Sequence, residues 1–105
     1  MSSTAADKRA KRPRKVDYSR QFDKDWDRLN RSGRYNMRRL KELMWRLIAG
    51  DFPLEDHWRD HLLEGDWAGF RECHVGGDFL LIYWLDATGR KIEFVRTGSH
   101  ADLFE

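Results

Sequence analysis

The sequence predicts an α+β domain: a β-sheet with an antiparallel helical hairpin packed on one side. Three observations lead there. Apolar side chains recur at helical spacing between residues 19 and 50, and at strand spacing between residues 67 and 96. A polar, aromatic stretch without a clean period separates the two blocks. At 105 residues the chain has room for one domain, and 40% hydrophobic with 13% aromatic side chains suffices to bury a core, which excludes full disorder.

Residues 1–15 (MSSTAADKRAKRPRK) carry six basic side chains against Asp7 and nothing that could form a packed face, so they read as a disordered basic arm ahead of a domain spanning 16–105. Such an arm is either a solvated extension or an attractor of nucleic-acid phosphate. Val16, Asp17 and Tyr18 alternate as a short strand does. Ser19 then suits the N-cap of a helix in which Phe22, Trp26 and Leu29 fall at i, i+4 and i+7, and Ser32-Gly33 ends it. A second helix is expected from about Asn36 to Ala49, with Met37, Leu40, Leu43 or Met44, Leu47 and Ile48 on its buried face. Gly50 suits the C′ position, and Pro53 prevents continuation. Its opposite face carries Arg38, Arg39, Lys41 and Arg46.

From Asp51 to Asp66 a loop is expected, with His61-Leu62-Leu63 as a candidate short strand. Trp67 to Val75 reads as one strand, Gly76-Gly77-Asp78 as a tight turn, and Phe79 to Leu85 as a central strand covered on both faces. The turn Asp86-Ala87-Thr88-Gly89 leads into a last strand, Arg90 to Arg96.

Charge is unevenly spread. Residues 1–46 hold 15 basic and 6 acidic side chains, a net of +9, and residues 47–105 hold 5 and 12, a net of −7, so the overall +2 conceals a basic half suited to an anionic partner. The longest apolar runs are far too short to cross a bilayer, and no apolar stretch follows the basic N-terminus as in a secretory signal. Cys73 is the only cysteine, which excludes an internal disulfide and a four-cysteine zinc site and fits a reducing, cytoplasmic setting; as a strand residue it reads as a small core side chain. No phosphate-binding glycine loop is present, so no nucleotide cofactor is expected.

All four histidines, His57, His61, His74 and His100, lie in the acidic half. If the strands bring His61, His74 and His100 together, with Asp78 near His74 across the turn, these residues can exchange protons in catalysis; otherwise they are surface histidines at loop edges. His57 and His61 at i, i+4 have the spacing of a zinc-chelating helix. The intervening Trp58-Arg59-Asp60 lacks the glutamate of that motif, and Pro53 disfavours a helix, so no metal is expected.

The ordered series His61-Leu62-Leu63-Glu64-Gly65-Asp66-Trp67-Ala68-Gly69-Phe70-Arg71-Glu72-Cys73-His74-Val75, Asp78, Leu81-Ile82-Tyr83 and the C-terminal Arg96-Thr97-Gly98-Ser99-His100-Ala101-Asp102-Leu103-Phe104 resembles the YafQ branch of the RelE/ParE toxin superfamily, the mRNA interferases of type II toxin–antitoxin systems. The likeness covers about residues 16–105. It implies a RelE-like α+β fold, with the hairpin against a twisted, mainly antiparallel sheet of four to five strands. It further implies a toxin that inhibits translation by cutting mRNA in the ribosomal A site, without a cofactor. The family's catalytic residues match His61, His74, His100 and Asp78; Arg96 matches a phosphate-binding arginine and Phe104 an aromatic that stacks on a base. The partners implied are a cognate antitoxin, the ribosome with its rRNA, and mRNA, with no membrane. The toxin alone is expected as a monomer, and as a heterotetramer or larger assembly with antitoxin. The basic face of the second helix is then expected to meet rRNA or acidic antitoxin residues.

Such chemistry needs a base for the ribose 2′-OH, a donor for the phosphate and an acid for the departing 5′-oxygen. His100 is expected as the acid, Asp78 with His74 as the base, and His61 with Arg96 as phosphate stabilisers. The alternatives are a non-catalytic, ParE-like gyrase inhibitor, whose branch typically lacks the histidine set, and a basic RNA- or DNA-binding module without turnover.

Overall fold

The computed structural model describes residues 12–50 and 52–104. In chain order the elements are β1 (Lys15–Tyr18), α1 (Arg20–Ser32), α2 (Met37–Ala49), β2 (His61–Leu62), β3 (Arg71–Gly76), β4 (Phe79–Leu85), β5 (Lys91–Ser99) and α3 (His100–Phe104), with single 3-10 turns at Asp56–Trp58 and Gly65–Trp67. The five strands form one sheet in the order β1-β5-β4-β3-β2. β1 runs parallel to β5, with Val16 opposite Ile92, and the other pairs are antiparallel.

Local signals set the hairpin. The Ser19 hydroxyl accepts from Phe22 N at 2.9 Å and donates to Val95 O at 2.6 Å, which caps α1 and pins its start to β5. Asn36 caps α2 by accepting from Arg39 N at 3.0 Å. Gly50, at φ 81°, closes α2 with its amide on Arg46 O and Leu47 O. Phe22 and Leu29 from α1, and Leu40, Leu43, Met44 and Leu47 from α2, pack on Val75, Phe79, Leu81, Tyr83, Ile92 and Phe94 of the sheet. Both Leu43 and Met44 are buried.

β4 is covered on both faces, as its apolar run requires. The second cover is a small cluster in which Leu80, Ile82 and Leu103 pack with Leu63, Trp67, Phe70, Val95 and Phe104. α3 supplies part of it, and nothing in the expected strand pattern included that helix.

Several expectations change. Trp67 does not begin a strand: it ends the Gly65–Trp67 turn, Gly69 takes φ 96°, and pairing starts at Arg71. Trp67 serves the second cluster instead, edge-on to Phe70 at 5.4 Å and to Phe104 at 6.0 Å. The last strand continues beyond Arg96 to Ser99, because Gly98 stays opposite Leu80 and Thr97 Oγ1 donates to Leu80 O at 2.8 Å. The folded unit also starts before Val16. Lys15 is in β1, and Arg14 donates from Nε to Gly89 O and from Nη1 to Leu47 O, both at 2.7 Å. Residues 1–11 of the expected arm lie outside the described residues.

The basic stripe on α2 is free only in part, with Arg38 and Lys41 exposed. Arg39 turns inward, Arg46 pairs with Glu55 at 3.3 Å, and Lys41 lies over the Trp26 ring at 5.7 Å; Arg38 is exposed. Among the described residues no helix is long and apolar enough to cross a membrane.

Candidate active site

Strand register builds the first half of the site. His61 of β2 stands opposite Glu72 of β3, and His74 lies two residues further along β3, on the same side of the sheet as Glu72. Both imidazoles converge on one carboxylate oxygen: His61 Nε2 is 3.3 Å and His74 Nε2 is 3.7 Å from Glu72 Oε1. Their ring centroids are 6.1 Å apart. The second nitrogen of His61 settles its tautomer. Nδ1 is 2.6 Å from the Arg59 carbonyl oxygen, which can only accept, so Nδ1 carries the hydrogen. A neutral ring would then turn an Nε2 lone pair toward the carboxylate.

The odd residue between Glu72 and His74 points the other way. Cys73 is fully buried in the core, its Sγ 3.6 Å from Asp60 Oδ1, and burial followed by the Asp60 charge pushes its thiol pKa up. That makes it a packing residue and a poor nucleophile, as expected.

The second half sits where β5 enters α3. Ser99 and Asp102 form a reciprocal box: Ser99 Oγ accepts from Asp102 N and Asp102 Oδ2 accepts from Ser99 N, both at 3.1 Å. Asp78, from the β3–β4 turn, accepts from His100 N at 3.1 Å through Oδ1. His100 thus begins α3 beside Asp78, and its ring lies 4.9 Å from that of Phe104. Asp78 meets the His100 backbone rather than an imidazole.

Gly98 makes this junction possible. It has φ 152°, and a Cβ there would stand 3.0 Å from Asp102 Oδ2 and 3.2 Å from Arg28 Nη2. We expect Gly98→Ala to break the Asp102 cap and destabilise the domain by roughly 1–3 kcal/mol. Thermal denaturation measures this, and an unchanged Tm would refute the assigned role of Gly98.

The halves are joined through the sheet. His74 is opposite Leu80, and Leu80 is opposite Gly98, so His74 and the residue two before His100 lie in one row across three strands. Adjacent strands are about 4.8 Å apart, which puts those backbones about 10 Å from each other. Arg96 does not join the imidazoles. It donates from Nε to Asp25 Oδ2 at 2.7 Å and from Nη2 to Asp25 Oδ1 at 3.2 Å.

Asp25, fully buried on α1, also accepts from Thr97 N and Arg28 Nη1, each at 3.1 Å. Burial alone would raise its pKa. The Arg96 hydrogen bonds, the Thr97 amide and the positive charges outweigh that and hold it below the ordinary carboxylate value. His57 stays apart, in the Asp56–Trp58 turn with its ring 4.6 Å from Trp58. His61 is on a strand, so the two do not share a helix that could chelate zinc.

Glu72 and Asp25 were not singled out in the sequence. Glu72 could have been found, since Glu72-Cys73-His74 puts a carboxylate and an imidazole on one strand face. Asp25 had no such local signal, being 71 residues from Arg96.

A family model described as "Bacterial toxin of type II toxin-antitoxin system, YafQ" matches residues 14–105. The chain is 43% identical over 91 residues to the mRNA interferase toxin YafQ of Escherichia coli K12, covering 87% of this chain and 96% of that one. In the crystal structure of the E. coli DinJ-YafQ complex, a chain 41% identical superposes with a TM-score of 0.77, over 88% of this chain and 99% of that one. A metal-bound toxin from Helicobacter pylori, 34% identical, gives 0.76 over 86% and 98%.

Proposed function

Since the chain belongs to the YafQ family of toxins from bacterial type II toxin–antitoxin systems, we propose that it is an endoribonuclease that cuts mRNA on the ribosome. The observation that carries this reading is the convergence of His61 and His74 on Glu72, in the sheet row that leads to His100. A carboxylate–imidazole cluster and a separate exposed imidazole offer the two proton-transfer sites that strand cleavage needs.

In the proposed step a base takes the 2′-OH proton. The 2′-oxygen attacks phosphorus, the bond from phosphorus to the 5′-oxygen breaks, and an acid gives that oxygen a proton. The fragments end in a 2′,3′-cyclic phosphate and a 5′-hydroxyl, so atoms balance without water or metal. His100 acts as the acid. His74 takes the 2′-OH proton with the His61–Glu72 pair behind it, and Asp78 holds the acid His100 in place through its backbone amide. His61 and the Nη1 edge of Arg96, on which Asp25 makes no hydrogen bond, stabilise the phosphate. Phe104, already beside His100 and Trp67, stacks on a substrate base, a contact worth ~1–3 kcal/mol.

By the same reading the chain is silenced by a cognate antitoxin, as the E. coli relative is found with DinJ. Cytoplasmic action follows from a ribosomal substrate.

Primer extension on mRNA from a translation extract tests the reading. Discrete new 5′ ends are expected in translated regions only. Uncut mRNA with inhibited gyrase would replace this reading with a non-catalytic one. Because a Helicobacter relative is metal-bound, the chelator EDTA is an informative addition to a ribosome-free assay on an RNA oligonucleotide. Cleavage is expected to stay within about twofold, since no proposed step passes through a metal. Loss on chelation with recovery on adding copper or zinc would contradict the mechanism.

A further inference from the structure

A cleft of about 410 Å³ opens beside Asp78, between the turn joining the hairpin helices and the β3–β4 turn. Its lining includes Arg34, Tyr35, Arg39, Gly76, Asp78 and Ser99, so two of its residues are those that seat His100. That volume falls in the range of small-ligand pockets, about 300–1,000 Å³.

Arg39 is the informative residue. Its guanidinium lies over the Trp58 ring at 4.5 Å, and Nε donates to the Val75 carbonyl. Stacking and one hydrogen bond fix the plane of the group while leaving its Nη edge unspent, which is the preorganised fork that suits a phosphate.

The other arginines whose side chains approach the core are neutralised or capped. Arg96 is on Asp25 and Arg71 on Asp60, while Arg14 spends its donors on carbonyls. Arg39 pairs with no carboxylate among the described residues, although it is partly buried. A guanidinium drawn out of water without a counter-charge signals an anion from outside. Arg34, exposed on the rim, adds a second positive charge. Tyr35, whose ring meets Phe79 edge-on at 4.9 Å, supplies an aromatic wall.

Resting on the endoribonuclease reading, we propose that this cleft is a subsite for the mRNA nucleotide next to the scissile bond. Arg39 and Arg34 grip its phosphate, and Tyr35 flanks its sugar or base. Continuity with Asp78 and Ser99, which seat the proposed acid His100, favours substrate over an acidic protein segment. These are substrate-positioning residues, and they set how much toxin is needed rather than whether the bond can break.

The test titrates full-length protein into a translation extract and scores mRNA cleavage, with binding to mRNA-free ribosomes measured in parallel. Arg34→Ala and Arg39→Lys are expected to need about tenfold more protein for half-maximal cleavage, with an unchanged plateau rate and unchanged ribosome binding. Arg34→Ala should also lower the salt dependence of cleavage by about one phosphate contact, whereas Arg39→Lys keeps its charge and should leave that dependence unchanged. Among the described residues the Arg34 side chain has no partner to lose, which guards against misfolding; a melting curve serves the same purpose for Arg39→Lys.

Dose curves identical to wild type would overturn the proposal. So would an equal loss in binding to mRNA-free ribosomes, which would assign the cleft to rRNA, or a loss confined to antitoxin neutralisation, which would assign it to the protein partner. If wild type cleaves no mRNA, the functional reading has failed. Affinity for a single-stranded RNA oligonucleotide then decides the cleft alone: a tenfold loss in both variants supports a phosphate subsite, and none overturns it.

Discussion

His100→Ala is expected to reduce mRNA cleavage by about 10²–10⁴-fold while leaving the fold intact, the usual range for removing a positioned acid or base. That equals roughly 3–5 kcal/mol of lost transition-state stabilisation, at 1.36 kcal/mol per factor of ten. The selectivity of the effect follows from what holds His100. Its place at the start of α3 depends on its backbone amide, bonded to Asp78, and on the Ser99–Asp102 box, none of which alanine disturbs. The ring is exposed, and its aromatic contact is with Phe104. Stability should therefore change by less than about 1 kcal/mol. Single-turnover cleavage in extract measures the rate, and a melting curve controls for folding. His57→Ala is the matched comparison, a histidine outside the site, and should cleave as wild type does. Equal activity in the His100 and His57 variants would remove His100 from the chemistry.

Asp25→Ala is expected to destabilise the domain by about 3–5 kcal/mol, because it leaves the Arg96 guanidinium partly buried and unpaired. A domain of this size shifts Tm by about 4–8 °C per kcal/mol, so the melting midpoint should fall by well over 10 °C. Arg96 side-chain exposure is only 19%, so solvent screens the pair little; the Arg28 contribution, at 46%, is weak. Replacing both residues with apolar ones should cost less than the sum of the two single changes, since neither charge is then stranded.

The pair also gives acid sensitivity a definite sign. The Asp25 pKa is lower folded than the ordinary value of 3.8, so the folded state binds fewer protons at this site. Its stabilisation is complete above that value and disappears as pH falls through the folded pKa. Denaturant titrations at descending pH should show wild type losing stability below about pH 4, with a smaller loss in Asp25→Asn. Parallel acid profiles would contradict the assignment.

Much of this architecture is written in local signals. Ser19, Asn36 and Gly50 mark helix ends by their capping chemistry, and the run from Phe79 to Leu85 marks a strand covered on both sides. Other local signals point to features outside the expected elements. Ser99-His100-Ala101-Asp102 has the spacing of a capping box, which announces α3, and Glu72-Cys73-His74 places an acid beside a histidine on one face. The Ala68-Gly69 step, with Gly69 at φ 96°, is where the expected strand from Trp67 breaks.

The remaining features depend on contacts between distant residues. Arg39 belongs to the polar face of α2 by periodicity, yet the Trp58 ring and the Val75 carbonyl draw it inward, from loop and strand segments that helix spacing says nothing about. The resemblance implies a phosphate role for Arg96 but says nothing of Asp25, 71 residues away, which takes its Nε and Nη2 donors. Spacing also suggested that Asp78 meets His74; the β-bulge between His74 and Gly76 accompanies an Asp78 turned to the His100 amide.

The most direct test of the central claim is the chemistry of the cut ends. If imidazoles and carboxylates drive attack by the 2′-oxygen, wild-type protein should release upstream fragments ending in a 2′,3′-cyclic phosphate and downstream fragments starting with a 5′-hydroxyl. Those downstream ends should be open to labelling by polynucleotide kinase without prior phosphatase treatment. Fragments carrying a 3′-hydroxyl and a 5′-phosphate would mean that water attacked instead, and would contradict the account.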